Sequence, residues 1–423
     1  MTRPVLAHAI LLLLGAVLPL FLLFEAAGHL DARNFLALSC GVIAFCLMAV
    51  NLFLAARPRG LERLIGGLDR IYFAHKWIGI SVFLLILPHK YVGMRLDGLI
   101  AGNELAKLSV DVASYTFPVL ATLLVISALK RLPRLPFEIP YQFWRVSHRL
   151  LGVAFMAIAF HQFFVKVPFS ANAMISSYLT LMAFIGVVSF VFTQVLAWLR
   201  RRRYEVVSVE KLPRATVIGL RPVGRGIRVR PGGFAFLSIR RGGLREPHPF
   251  TVSAIGEDGS LQFSIGPAGD FTRRLRDTVA VGDRAMVEGG YGCFDLNRFG
   301  ERQVWLAGGI GITPFLAWAE SLGDGNGKSI ALIHCVPTPE DAVGQERLQA
   351  ISERAEGFTY HVHASKRDGR MNAEALLKAV PFPIRGSDVC FCGPALLRQA
   401  ITRDLRRLGE QPQGIHFEKF EFR

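Results

Sequence analysis

Four histidines fall in strongly apolar stretches, His75 and His89 in one and His148 and His161 in another. An ionisable residue inside a membrane-length apolar segment is costly and points to function. The spacings are 14 and 13 residues, so the members of each pair stand about 20 Å apart along a helix. Two helices running the same way, each offering an imidazole at the same two depths, can hold two stacked haems by bis-His ligation. A single membrane histidine reads more simply as an interhelical hydrogen bond or a helix-end cap; the paired depths favour haem. Fourteen residues return to within about 40° of the same face, but thirteen land roughly 140° away. The helix carrying His148 and His161 must therefore bend or bulge, or the two haems must be rotated about its axis. His8 and His29 have no such partners and read as helix-end residues.

Glycine-rich turns in the second half suit a different chemistry. LAGGIGITPF at 306–315 follows a strand-like run and precedes a helical one. Gly308, Gly309 and Gly311 there let the backbone approach a nicotinamide dinucleotide, and Thr313 and Pro314 begin the helix. In GDFTRRL at 269–275, a turn at Gly269 opens a short helix through Asp270, Phe271 and Thr272. The free N–H groups and positive dipole end of such a helix suit an anion, although a capped helix packed on a barrel has the same sequence. GDGNGKS at 323–329 imitates a Walker loop, but that spacing needs glycine at 322, where Leu322 stands, and the run leads into a strand. CFCGP at 390–394 lacks a second Cys/His pair at zinc spacing.

The elements that must position these groups follow from composition. The chain has 423 residues, 51% hydrophobic and only 19% charged, with mean hydropathy +0.35. That is too apolar for an ordinary soluble protein. Six segments are long enough to cross a bilayer: Val5–Phe24, Phe35–Ala56, Ile71–Pro88, Ser114–Leu129, Val146–Val165 and Ala173–Leu199. The first is about twenty residues long and ends in FEAAGH, not in a clean small-residue cleavage site, which favours a retained helix over a signal peptide.

The net charge of +16 is concentrated in the apolar half: residues 1–203 carry 20 Lys/Arg against 8 Asp/Glu, and residues 204–423 carry 29 against 25. This argues against a nucleic-acid surface and for a topology signal. With a cytoplasmic N-terminus, 15 Lys/Arg fall inside and 5 outside, which places both termini in the cytoplasm and the chain in the cell membrane. Trp77, Trp144 and Trp198 fall near the cytoplasmic ends, and Arg200–Arg203 read as an anchor after the last helix. The six cysteines imply no extracellular disulfide framework.

After Arg203 the pattern changes to short alternating runs such as YEVVSV, FAFLSI and LQFSI, which predict an antiparallel β-barrel over Tyr204–Gly300. From Glu301, apolar strands alternate with helical stretches, as in a parallel α/β sheet. Three domains are expected: 1–203, 204–300 and 301–423.

With these motifs in this order, nearly the whole chain resembles the flavin-dependent ferric reductase and NADPH oxidase superfamily. The resemblance implies an all-α six-helix transmembrane di-haem bundle, an antiparallel β-barrel FAD domain and an α/β Rossmann-like NAD(P) domain. In that family HPFTVS at 248–253 corresponds to the flavin-binding strand. Thr251 and Ser253 would donate to the isoalloxazine edge, and His248, with the local backbone of Pro249 and Phe250, would lie near the ribityl-phosphate. The 269–275 helix would sit beneath the FAD pyrophosphate, with Thr272 as an additional donor. FCGP at 391–394 resembles the second nicotinamide loop, with Gly393 and Pro394 in the turn and Cys392 close to hydride transfer. In IHFEKFEFR an aromatic residue would cover the flavin ring, Phe420 in preference to Phe422.

The chain departs from the family in three places. The GPYG loop reads GGYG at 289–292; HCVPTPED at 334–341 lacks the arginine that NADPH-selective oxidases place there; and Arg367 or Arg370 would have to substitute. Gly93 stands where some oxidases carry a further histidine. NADPH and NADH therefore both stay open. The resemblance implies transfer from NAD(P)H through FAD to a haem at His75/His148, then to one at His89/His161, and on to an outer acceptor. O2 giving superoxide is favoured; a ferric-chelate reductase and a haem relay serving a partner are the alternatives. The partners expected are the dinucleotide, the acceptor and the lipid bilayer, with neither nucleic acid nor an obligate protein partner.

Overall fold

In the computed structural model, residues 3–58, 60–92, 103–128, 141–165, 172–323 and 327–417 are described. They divide into two compact units, Met1–Ala197 and Trp198–Arg423. Among the described residues six helices are long and apolar enough to cross a membrane. The first joins α1 (Arg3–Leu12) and α2 (Leu18–Ala27) through a π-helical turn, Leu13–Val17. A π turn frees a backbone carbonyl, and here the Tyr178 hydroxyl donates to that of Leu14. The second, α3 (Ala32–Ala56), starts at Asp31, whose carboxylate accepts from the N–H groups of Arg33 and Asn34, both at 3.1 Å.

A short α4 (Leu61–Ile65) leads to α5 (Leu68–Tyr91), followed by α6 (Glu104–Ala128), α7 (Tyr141–Phe164) and α8 (Ala173–Val191). Asn172 caps α8 by accepting from Met174 N–H at 3.0 Å. The packing has a simple logic. Helix α3 is central and sends residues into two apolar clusters, one with Leu23, Phe155 and Leu179 and the other with Val82, Ile86 and Leu120. The two histidine-bearing helices each lie along one neighbour, α5 on α3 and α7 on α6. Phe155 is fully buried, stacks on Phe45 at 5.4 Å and fills the notch at Gly186.

The second unit opens with β1 (Arg201–Leu212). Three of the four arginines read as a membrane anchor therefore lie in a strand, paired with 286–288 of β6 (Arg284–Tyr291). With β2 (Ala215–Pro222), β3 (Phe234–Ile239), β4 (His248–Ile255) and β5 (Leu261–Ile265) they close an antiparallel barrel of order β1-β2-β5-β4-β3-β6. Alternating residues such as Val206, Ile218, Leu237, Val252 and Phe263 fill it, as period-2 patterning requires. The helix α9 (Asp270–Thr278) leaves the barrel after β5.

The α/β layer comprises β7 (Arg302–Gly308), α10 (Thr313–Glu320), β8 (Ser329–Val336), α11 (Gln345–Arg354), β9 (Phe358–Ala364), α12 (Ser365–Asp368), α13 (Ala373–Ala379), β10 (Asp388–Cys392), α14 (Ala395–Arg407) and β11 (Gly414–Phe417). Its five parallel strands run β11-β10-β7-β8-β9. The strand order reverses at β7, where open α/β sheets bind ligands. Trp305, Phe315 and Trp318 share one core with Ala215 and Val217 of the barrel, and Trp318 Nε1 donates to the Pro231 carbonyl at 3.2 Å.

Candidate functional site

In the membrane unit every one of the four histidines is held through Nδ1. His75 Nδ1 lies 3.2 Å from the Asn51 carbonyl and His89 Nδ1 3.0 Å from the Ala37 carbonyl, both on α3. His161 Nδ1 lies 3.2 Å from the Ser109 carbonyl and His148 Nδ1 3.0 Å from Ser127 Oγ, both on α6. A carbonyl only accepts, so Nδ1 of His75, His89 and His161 carries the proton and Nε2 keeps its lone pair. That is the tautomer a metal-ligating histidine needs, oriented by its outer-shell partner.

The rings of His75 and His148 face each other across helices, with centroids 5.7 Å apart. Imidazole–metal bonds are about 2 Å long, so this gap suits one metal between two Nε2 atoms. Two imidazoles under-coordinate a bare ion but complete a metal that brings its other ligands, as haem iron does. Room for the His89 ring comes from Gly41, where a Cβ would overlap the imidazole. The Trp144 ring stacks on His148 at 4.8 Å, and Trp144 Nε1 donates to the Ser127 carbonyl at 3.3 Å.

Of the three ways to accommodate the 13-residue spacing, a bulge is absent, because α7 is α-helical throughout Tyr141–Phe164. A bent helix and sites rotated about the helix axis remain. Ser109 and Ser127, which receive the two rings, are 18 residues apart on α6, five whole turns, and so share a face.

On the barrel, His248, Pro249 and Phe250 are half-buried and Thr251 is buried. The His248 ring stacks on Phe271 at 3.8 Å, which joins β4 to the first turn of α9. Two of the expected donors are already bonded within the chain. Ser253 is fully buried and its hydroxyl donates to the Gln262 carbonyl at 3.0 Å, so its proton is not offered to a flavin. Thr272 Oγ1 accepts from Gly269 N–H at 2.9 Å and donates to the Gly269 carbonyl at 3.0 Å, so it caps the helix and is no extra phosphate donor. The anion-binding groups left are the backbone N–H groups of the first turn at Asp270, Phe271 and Thr272. Nothing lies within 4 Å of a Cβ built at Gly269, so the cradle is open there.

The nicotinamide-side loops pack on one another. A Cβ at Gly308 would lie 2.7 Å from Pro394, one at Gly393 2.9 Å from Gly308, and one at Gly311 would overlap the Cys392 carbonyl. Gly309 has φ +55 and open space at its Cβ position. Thr313 and Pro314 begin α10 as expected, both buried, and Cys392 is 4% exposed at the end of β10. Gly266, just before the α9 turn, approaches Ile310, where a Cβ would lie 3.3 Å from its side chain. The flavin-side and dinucleotide-side segments therefore adjoin. Phe420 and Phe422 lie outside the described residues. The strand before them is tied down: His416 Nε2 lies 2.7 Å from Asp388 Oδ1, and Asp388 Oδ2 accepts from Gly300 N–H at 2.7 Å.

Two further groups belong to this region, of which His334 was not anticipated as a site residue. His334 on β8 is fully buried beside the Gly309 carbonyl. Arg367 bonds Asp368 through Nε at 2.7 Å and Nη2 at 2.9 Å. The neighbouring guanidinium, with the Ala364 N–H, holds the Asp368 carboxyl down at about 2.

Comparison with known proteins follows the same division. Residues 40–160 match the ferric reductase like transmembrane component, 207–295 an FAD-binding domain and 305–403 the oxidoreductase NAD-binding domain. The toluate 1,2-dioxygenase electron transfer component of Pseudomonas putida is 27% identical over 197 residues, 45% of this chain and 58% of that protein. A flavohemoprotein of Bacillus cereus is 25% identical over 211 residues, 45% of this chain and 52% of its own. The chain spans about half the length of the curated relatives it matches. Among solved structures, the flavohem-like FAD/NAD binding domain of a Vibrio cholerae nitric oxide dioxygenase is 21% identical, covers 51% of this chain and 97% of its own, and has a TM-score of 0.45. A ferric-reductase-like membrane component is thus followed in order by FAD-binding and NAD-binding domains, a ferric reductase/NADPH oxidase-like architecture for a membrane oxidoreductase.

Proposed function

We propose that this oxidoreductase draws electrons from cytosolic NADH or NADPH by way of FAD and two b-type haems and delivers them to an acceptor on the outer side of the cell membrane, foremost O2 to give superoxide. When bound, FAD supplies the change from hydride to single-electron transfer, and bis-His haem iron supplies a one-electron route without an open coordination position. The observation that carries the reading is the anchoring of four membrane histidines by Nδ1, in pairs 14 residues apart on α5 and 13 apart on α7.

The chain's own residues have three tasks. His75 with His148 and His89 with His161 offer Nε2 lone pairs at two levels. The first turn of α9 and the aromatic surface of His248, Phe250 and Phe271 receive a flavin dinucleotide, with Thr251 beside them. Gly308, Gly309 and Gly311, backed by Cys392, Gly393 and Pro394, let a nicotinamide dinucleotide come against the backbone. Phe420 remains the proposed cover of the flavin ring. The excess of Lys/Arg in one set of membrane loops supports cytoplasmic termini.

The test is a reduced-minus-oxidised spectrum of the detergent-purified chain after NADH or NADPH is added. A b-type band is expected, and its absence sinks the proposal. Leucine at His89 or His161 should remove about half of the haem, and so should leucine at His75 or His148; unchanged haem in all four removes the ligand assignment. Superoxide-dismutase-sensitive reduction of cytochrome c supports O2 as acceptor, whereas ferrous-chelate formation in its place supports the ferric reductase reading.

A further inference from the structure

The Gly309 carbonyl, in the middle of the dinucleotide loop, points into the protein at a histidine. His334 Nε2 lies 3.0 Å from that oxygen, and His334 Nδ1 lies 3.3 Å from the Tyr360 hydroxyl. The imidazole is fully buried, and burial pushes its pKa down to about 4, so at neutral pH it carries one proton. A carbonyl only accepts, which puts that proton on Nε2 and leaves Nδ1 to accept from Tyr360. The bonds therefore run in one direction, from Tyr360 on β9 through His334 on β8 to the loop after β7. In a planar trans peptide the C=O and N–H point opposite ways. Holding the Gly309 carbonyl inward thus directs the Ile310 N–H away from His334. Gly309 itself has a positive φ and opens the short 3-10 turn Gly309–Ile312, so His334 bonds the loop at the point where the strand gives way to that turn.

We propose that His334 is a positioning residue for the nicotinamide dinucleotide: by clamping the Gly309 carbonyl it fixes the orientation of the Gly309–Ile310 peptide and keeps the Ile310 N–H available to the ligand's diphosphate, with Tyr360 fixing the tautomer. This rests on reading the 308–311 loop as the dinucleotide site.

NAD+ titrated by calorimetry into the oxidised full-length protein in detergent, together with steady-state kinetics, tests it. Absence of NAD+ and NADP+ binding to the wild type would remove the loop reading itself. If the wild type binds, His334→Phe, which keeps a ring but no donor, should weaken NAD+ at least tenfold and raise KM for the reduced dinucleotide more than it lowers kcat. His334→Gln should bind within about threefold of wild type, because its amide can both donate to Gly309 and accept from Tyr360. Tyr360→Phe should weaken binding about threefold. Equal affinity of wild type and His334→Phe overturns the proposal, as does equal weakening by His334→Phe and His334→Gln with FAD retained. If His334→Phe does not fold, unchanged affinity in Tyr360→Phe overturns it.

Discussion

Ser127 holds His148 by its hydroxyl, at 3.0 Å from Nδ1, whereas His75, His89 and His161 are each held by a main-chain carbonyl. One candidate haem ligand therefore depends on a side chain that substitution can remove. Outer-shell partners of ligating histidines tune ligand basicity and ring orientation. Spectroelectrochemical titration of Ser127→Ala should show one haem transition displaced and the other in place. Ser109→Ala should move neither, because its hydroxyl bonds the Ala106 carbonyl at 2.8 Å while its own carbonyl, which meets His161, stays. Two unmoved transitions in Ser127→Ala would separate the serine from the haem.

Gly269 gives a clean probe of the flavin cradle. Its φ of −156 is extended backbone open to any residue, and its Cβ direction is empty. Gly269→Val should leave the fold intact and lower bound FAD several-fold, measured as flavin released per polypeptide. Full FAD content would show that the space beside Gly269 lies off the flavin.

Arg367 is committed to Asp368 and not free for a 2′-phosphate. Asp368→Ala should release the guanidinium and remove a competing carboxylate at the strand-end side where dinucleotides bind in such sheets. The ratio of kcat/KM for NADPH over NADH is expected to rise several-fold. A ratio that does not move would exclude Arg367 as a reader of the ribose.

The depressed pKa of His334 makes stability depend on pH. Unfolded, the imidazole takes up a proton near 6.5; folded, it does so only near 4. As pH falls from above 6.5 towards 4 the unfolded chain binds the extra proton, so folded-state stability declines, by up to roughly 3 kcal/mol. Thermal release of flavin fluorescence in the full-length protein should therefore fall less between pH 7 and 4.5 in His334→Gln than in wild type. Parallel curves would count against it.

The broad plan was readable in the residues because hydropathy and period report burial directly. The six apolar runs correspond to the six membrane-length helices, and the change of pattern after Arg203 falls within three residues of β1. What escaped was whether a polar group is already bonded. Ser253 and Thr272 are good donors by type, but their protons go to the Gln262 and Gly269 carbonyls, which no motif displays. Nothing in the sequence singles out His334; the parallel pairing of β7 with β8 sets it beside the glycine loop. Arg201–Arg203 looked like an anchor because a run of charge does not reveal that it forms a strand.

The carbonyl anchors of His75, His89 and His161 have a consequence for how the membrane unit tolerates mutation. A main-chain oxygen belongs to every amino acid alike, so exchanging the side chains of Ala37, Asn51 or Ser109 leaves the acceptor standing as long as the helix keeps its place. Selection on those three ligands would act through helix packing, and only at Ser127 would a single codon change reach an imidazole's partner. Apart from Gly41, whose missing side chain makes room for the His89 ring, variation along α3 can therefore run high without disturbing the histidine anchors, while position 127 should be a fragile point of the bundle.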